Sequence, residues 1–331
     1  MSAARVGVFV AGLAMFVSGV LLSAGLATAE NATGVVFHDA TGNGVRDGGE
    51  SGISGVLVTN GLDVVQTDAD GRYTLSVTDE TIISIVKPAG FKVPADKDNL
   101  PQFYYLHQPQ GTPPELNLDY PGVDPTGPLP ASIDFPLMPG EESDQFKAIM
   151  IADPQPQTEA ELDYVRDDFV AQIIGTDAVF GKTHGDIMFD DLSLFPRYNA
   201  IIGQIDIPWY NVPGNHEINF LSPNDQYSTE TFKRYYGPTY YAHEQGQALF
   251  ITLDTTLSSA RGVKTSYPFP ATRIRATTGT MVRRMVAITV TDGTNRSSPR
   301  FQGRGGAAPS MSGGSQAASS TTGRPMVITS W

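Results

Sequence analysis

The 331-residue sequence predicts two folded parts, a small β-sandwich followed by an α/β layered domain. Two patterns carry that expectation. Short apolar runs punctuated by Gly, Asp and Asn fill residues 34–106, and buried strands alternate with helical periods from Phe146 onward. A third observation bounds it: both patterns stop after Leu257.

Residues 1–29 read as an export signal. Arg5 supplies a positive start, residues 6–26 are apolar or small throughout, and Ala27-Thr28-Ala29 offers a small-x-small cleavage site. The alternative is an uncleaved anchor, because about twenty apolar residues span a bilayer. Cleavage implies a secreted or cell-envelope (periplasmic) protein with no stable membrane anchor. The β module is placed at 30–106, with strands at 34–37, 56–59, 73–77 and 82–86. Tyr73, Leu75 and Val77 alternate with Thr74 and Ser76, as a half-buried strand should. Residues 107–145, rich in Pro and Gly, read as a linker, with 133–137 as a candidate last strand of the module.

The α/β domain is placed at 146–256. Residues 146–152 form an apolar run, apart from Lys147, of the kind buried on both faces. Leu162, Val165, Phe169 and Ile173 then recur at helical spacing across 159–174. Strands are expected at 178–180, 207–212 and 248–253, and helices at 192–205 and 229–236. Residues 257–331 form a basic tail, with low-complexity Gly, Ser, Ala and Thr over 307–323, and are expected to be disordered. The abrupt change reads as translation out of frame; a native disordered tail is the alternative.

Charge follows the same division. Residues 1–256 hold 12 Lys and Arg against 34 Asp and Glu, while 257–331 hold 10 against the single acid Asp292. So acidic a body argues against nucleic-acid binding and favours bound cations. Cysteine is absent, which excludes disulfides, thiolate metal sites and cysteine nucleophiles.

One motif lies in the β module. Asp39, Thr41, Asn43, Asp47 and Glu50 occupy positions 1, 3, 5, 9 and 12 of a twelve-residue loop. Val45 would add its carbonyl at position 7, and Gly44 makes the sharp turn. This is a candidate calcium loop; a hairpin rich in Asp, Asn and Gly with no ion is the alternative. The stretch 34–77 resembles the calcium-binding B-type repeats of bacterial surface adhesins and the N-terminal β domain of some secreted phosphoesterases.

Three segments of the α/β domain place carboxylate, amide and imidazole groups after buried strands, where open α/β sheets hold their ligands. They are Asp153-Pro154-Gln155, Gly185-Asp186, and Gly214-Asn215-His216-Glu217. In this order the domain resembles the calcineurin-like metallophosphoesterase superfamily. That resemblance implies a four-layer α/β/β/α sandwich, incomplete here, and two metal ions drawn from Mn, Fe, Zn or Mg. Such ions, about 3.5–4 Å apart, neutralise a phosphoester and turn a shared water into hydroxide. By resemblance Asp186 bridges the ions, Asp153 and Gln155 hold the first and Asn215 the second. By the same resemblance His216 steadies the transition state and protonates the leaving oxygen. The implied function is hydrolysis of a phosphomonoester or phosphodiester, on a small molecule or in the cell envelope. Asp190 and Asp191 read as helix caps or outer-shell groups; His107, His184, His243 and the tyrosines at 235, 236, 240 and 241 read as packing residues.

Two departures weaken the match. Gln155 replaces the commoner His, and no histidine follows His243, where the family supplies three further ligands. Weak or absent turnover is therefore expected. The reading from another class is an inactive calcium-binding cell-surface module with a vestigial α/β part, and a third is a chain that folds only through its β domain.

Overall fold

The structure, a computed structural model, describes residues 30–254 and 256, together with the backbone of three later strands. The export signal lies outside the described residues. Among them, no helix is long and apolar enough to cross a membrane.

The β module consists of two four-stranded sheets. The first joins β1 (Glu30–His38), β4 (Arg72–Val77), β6 (Phe91–Lys92) and β8 (Phe135–Pro139) in the order β4-β1-β8-β6. The second joins β2 (Leu57–Thr59), β3 (Val64–Gln66), β5 (Thr81–Ile85) and β7 (Tyr104–His107) in the order β3-β2-β5-β7. Burial along β4 alternates strictly, with Tyr73, Leu75 and Val77 inward. They meet Ala32, Val36, Val58, Ile83 and Ile85 in the core. β1 runs antiparallel to β4 but parallel to β8, pairing Val36 with Phe135. Gly34 permits that approach, since a Cβ there would lie 1.7 Å from the Ile133 carbonyl oxygen.

The stretch 107–145 is not a free linker. It contributes β8 and buries Val123, Ile133, Phe135 and Leu137. Composition misleads here because β6 covers only Met138 and Pro139. Over 135–137 β8 is thus an edge strand, where the missing donor of Pro136 is tolerated. Farther along, Gln108 and Thr112 donate to the buried carboxylate of Glu230 in the α/β domain.

That domain is built on β9 (Lys147–Ile151), β10 (Ala178–His184) and β11 (Trp209–Val212), all parallel. On one face lie α1 (Glu159–Tyr164), α2 (Ala171–Ile173) and α3 (Phe195–Ile202); Leu162, Val170, Phe195, Tyr198 and Ile201 pack on Ile149, Ile151 and Trp209. The Thr158 hydroxyl caps α1 by accepting from the Glu161 N–H. A π-helical stretch, Val165–Val170, joins α1 to α2. Its wider turn brings Val170 fully into the core, while Val165 and Phe169 pack half-buried against it, an addition that the 3.6-residue period misses. α4 (Glu230–Tyr236) adds Phe232 and Tyr236 to the same core.

The opposite face meets a second sheet, β12 (Tyr241–Gln245) and β13 (Ala248–Leu253), paired antiparallel. Phe146, Phe180 and Tyr210 interlock with Tyr241, Ala248 and Phe250 between the sheets. Leu249 and Ile251 point the other way, onto Leu57 and Val86 of the β module. The module therefore covers the outer face of the second sheet, and Phe103 reaches through to ring contacts with Tyr210 and Tyr241 at 6.0 and 5.2 Å. The two predicted parts share one continuous core.

The tail expected to be disordered contains three strands: β14 (Arg284–Thr289), β15 (Gln316–Ser319) and β16 (Pro325–Ser330). β14 pairs parallel to β13, and β16 pairs antiparallel to β9, with β15 beyond it. Short β-branched runs at 286–289 and 327–329 supply strand propensity that average composition obscures. The remainder of the tail, and with it any fourth layer, lies outside the described residues.

Candidate active site

The parallel strands β9, β10 and β11 end together, and the loops leaving them carry the candidate residues. After β9, Asp153 and Gln155 adopt φ of 62° and 43°; after β10, Gly185, Asp186 and Asp190 adopt 68°, 48° and 59°. Half of the eight described non-glycine residues with positive φ thus sit in these two loops. Left-handed backbone disfavours residues with a Cβ, so its concentration here marks a site held by its surroundings.

Backbone and side chains lock the loops together. The Asp153 N–H donates to the Gly185 carbonyl at 3.2 Å, and the Gln155 N–H to the Asp186 carbonyl at 3.1 Å. The Gln155 amide Nε2 donates to Asp186 Oδ2 at 3.0 Å, and the His216 N–H to Asp186 Oδ1 at 3.3 Å. Asp186 is the hub. Gly214 lies against it so closely that a Cβ would come 2.1 Å from Oδ1 and 2.2 Å from the Asp186 nitrogen. Gly214→Ala is therefore expected to push Asp186 out of place and lower stability by about 1–3 kcal/mol, read from the urea midpoint. An unchanged midpoint would show that the third loop is free to move.

The third loop is anchored by a group that motif reading passed over. Glu217 is fully buried; its Oε2 accepts from the Gly214 N–H at 2.6 Å and its Oε1 from the Met188 N–H at 3.0 Å, tying the second loop to the third. Burial pushes this carboxyl up to about 8, against the pull of those N–H groups. Its signal in the sequence was only its place as the last residue of the Gly-Asn-His-Glu run.

His216 is held on two sides. Its Nδ1 lies 2.6 Å from Asp190 Oδ1, and its ring stacks on Phe189 at 4.6 Å and 28°. Asp190 thus sits one contact away from the candidate reacting group. Asp191 caps the following turn, accepting from the Ser193 N–H at 3.1 Å. The other histidines sit in packing positions. His184 lies beside Met150 Sδ, and burial, with Lys182 nearby, holds it down at about 4. His243 is sandwiched between Tyr210 and Phe250, and His107 is buried with Asp79 4.0 Å from its Nε2. Tyr235 and Tyr236 pack on Phe195.

The residues present do not fit a pair of metal ions. The corner offers two carboxylates, Asp153 and Asp186, and two amides, Gln155 and Asn215. No group of three or more His, Cys, Asp or Glu side chains gathers for a metal among the described residues. Such a set suits at most one hard, oxygen-preferring cation.

The candidate calcium loop is drawn in on itself. Asp39 accepts from the N–H groups of Gly42, Asn43 and Gly44, and Glu50 from those of Ala40 and Asp47. The Asn43 amide and the Thr41 hydroxyl both turn to Asp47, while the Val45 N–H donates to Asn43 Oδ1. Burial raises the Asp39 carboxyl, but these backbone bonds hold it below its ordinary value. The loop closes by its own hydrogen bonds, with Asp39, Asp47 and Glu50 as its acceptors.

With fold and geometry established, comparison places the chain among known proteins. It is a mixed α/β protein with an N-terminal all-β region, and residues 40–120 match the family model described as the N terminal of calcineurin-like phosphoesterase. That stretch is therefore similar to the N-terminal part of calcineurin-like phosphoesterases. The match runs past residue 106, as the packing of the supposed linker would require. Among solved structures, a purple acid phosphatase from yellow lupin (Lupinus luteus) seeds matches with a TM-score of 0.33 and 10% identity, over 72% of this chain and 47% of that one. The chain thus spans about half the length of that structure. No curated protein matches it.

Proposed function

We propose that the chain is an exported phosphoester hydrolase with a partial catalytic centre at the ends of β9, β10 and β11, and that it turns over substrate slowly. The observation that supports this is the meeting of three loops on Asp186, with Gln155 and His216 both bonded to its carboxylate. Asp153, Gln155, Asp186 and Asn215 form the half-set of cation ligands, enough for one weakly held ion. His216 acts on the leaving oxygen. Asp190 accepts from Nδ1–H, which fixes the ring and leaves Nε2 to carry the proton. A water attacking phosphorus then displaces an alcohol that departs protonated.

The purified chain, given Mn2+ or Mg2+, should hydrolyse 4-nitrophenyl phosphate or its bis-ester well below the roughly 1–1,000 per second common for enzymes. His216→Ala should reduce the residual rate by roughly 100-fold or more. A normal rate abolished by His216→Ala would overturn the slow-turnover reading, whereas a residual rate indifferent to His216 would overturn the site.

A further inference from the structure

Phe189 is the part of this corner that neither ligation nor proton transfer explains. It is a large apolar side chain, yet 37% of it is exposed. Its position is nevertheless fixed. The Phe189 N–H donates to the Pro156 carbonyl at 3.2 Å, tying it to the loop of Asp153 and Gln155. Asp190, the next residue, grips the same imidazole on which the Phe189 ring stacks. The ring thus stands beside His216 without being sealed into the core. The loop that leaves His216 carries two more exposed apolar side chains, Phe220 and Leu221, at 54% and 60%. Between them and His216, Asn219 is buried and pinned by its N–H to the Ser228 carbonyl at 2.7 Å.

With Nδ1 taken by Asp190, the leaving oxygen meets Nε2. Whatever that oxygen is attached to extends alongside the imidazole, where the neighbouring surface is the aromatic ring of Phe189. A short polyol gains little from such a wall, whereas an aryl group stacks on it. Resting on the phosphoester reading above, we propose that Phe189 selects phosphoesters whose leaving group is aromatic, by stacking that group beside His216.

The test compares two non-hydrolysable probes, phenylphosphonate and methylphosphonate, titrated calorimetrically into the full chain with Mg2+. Phenylphosphonate should bind about 10-fold more tightly. Phe189→Ala should abolish that preference, with an unchanged urea midpoint showing that the variant is folded. Phe189→Tyr should restore the preference. Equal affinities in the parent chain, with both lost in Asp186→Ala, would leave the phosphoester site standing and sink the role of Phe189. A preference that survives Phe189→Ala would sink it too. If neither probe binds, or binding ignores Asp186→Ala, the reading of the site itself fails and the selectivity falls with it.

Discussion

Glu142→Ala is expected to destabilise the chain by about 3–5 kcal/mol, the range found when one partner of a buried ion pair is removed. Glu142 pairs with Lys87, and their side chains are 10% and 8% exposed. Lys87 belongs to the β module, while its Nζ also donates to the Glu244 carbonyl of β12 at 2.7 Å. Glu142 in turn accepts from the Gly246 N–H at 2.9 Å, and the Glu244 carboxylate from the Ala89 N–H at 3.0 Å. The clamp joins module, connection and second sheet. Burial lowers the Lys87 ammonium, and Glu142 works against that shift. Without Glu142 the charge stays desolvated, left with the Glu244 carbonyl and the field of the Glu244 carboxylate. Replacing both partners together, as Lys87→Met with Glu142→Leu, should recover most of the loss, because the pair's attraction roughly offsets its desolvation. Urea unfolding of the three variants measures this. A loss below about 1 kcal/mol for Glu142→Ala would mean that the pair is solvated.

The second large effect concerns Lys182, fully buried in the middle of β10 between the sheets. Its ammonium donates to the Thr252 hydroxyl and lies over the rings of Tyr241 and Tyr210, at 4.8 and 5.6 Å. The rings favour the charged form by about 1–2 kcal/mol. Burial outweighs them and brings Lys182 down to about 7. Between there and its ordinary value of 10.5, the unfolded chain carries a proton that the folded chain lacks. Stability therefore rises with pH across that window, by at most about 1.4 kcal/mol per unit, and is lost as the pH falls toward 7. His243 adds the same sign lower down. Burial, with Lys182 and Lys87 nearby, keeps it neutral well below 6.5, so acid further favours unfolding. Lys182→Met should flatten the slope above pH 7 and raise stability at neutral pH by about 1–4 kcal/mol. Urea midpoints at pH 7, 8 and 9 decide it; parallel slopes for parent and variant would show that Lys182 is charged in the fold.

The elements that were legible in the sequence are those whose burial follows a simple period. β4 alternates, β9 is a short apolar run, and the loops after β9, β10 and β11 stand out by their Asp-Pro-Gln, Gly-Asp and Gly-Asn-His-Glu runs in order. What escaped was set by tertiary contact. The strand β10 runs on to His184 through Lys182 and Thr183, polar residues that no hydrophobic pattern extends into. The connection at 107–145 reads as loose because Pro and Gly dominate it, yet Val123, Ile133, Phe135 and Leu137 are buried. Asp190 and Phe189 stand near Asp186 in sequence, but their grip on His216 comes from a loop some 26 residues away and so left no local trace. The Glu142–Lys87 clamp spans 55 residues and was equally silent.

Because Leu57 and Val86 are sealed by Leu249 and Ile251, the first third of the polypeptide finishes maturing only when β13 has been made. During synthesis the nascent module must keep an oily flank shielded for more than 150 residues, a task suited to a holding chaperone. Trimming the chain just ahead of β12 should accordingly yield inclusion bodies, not a tidy N-terminal fragment.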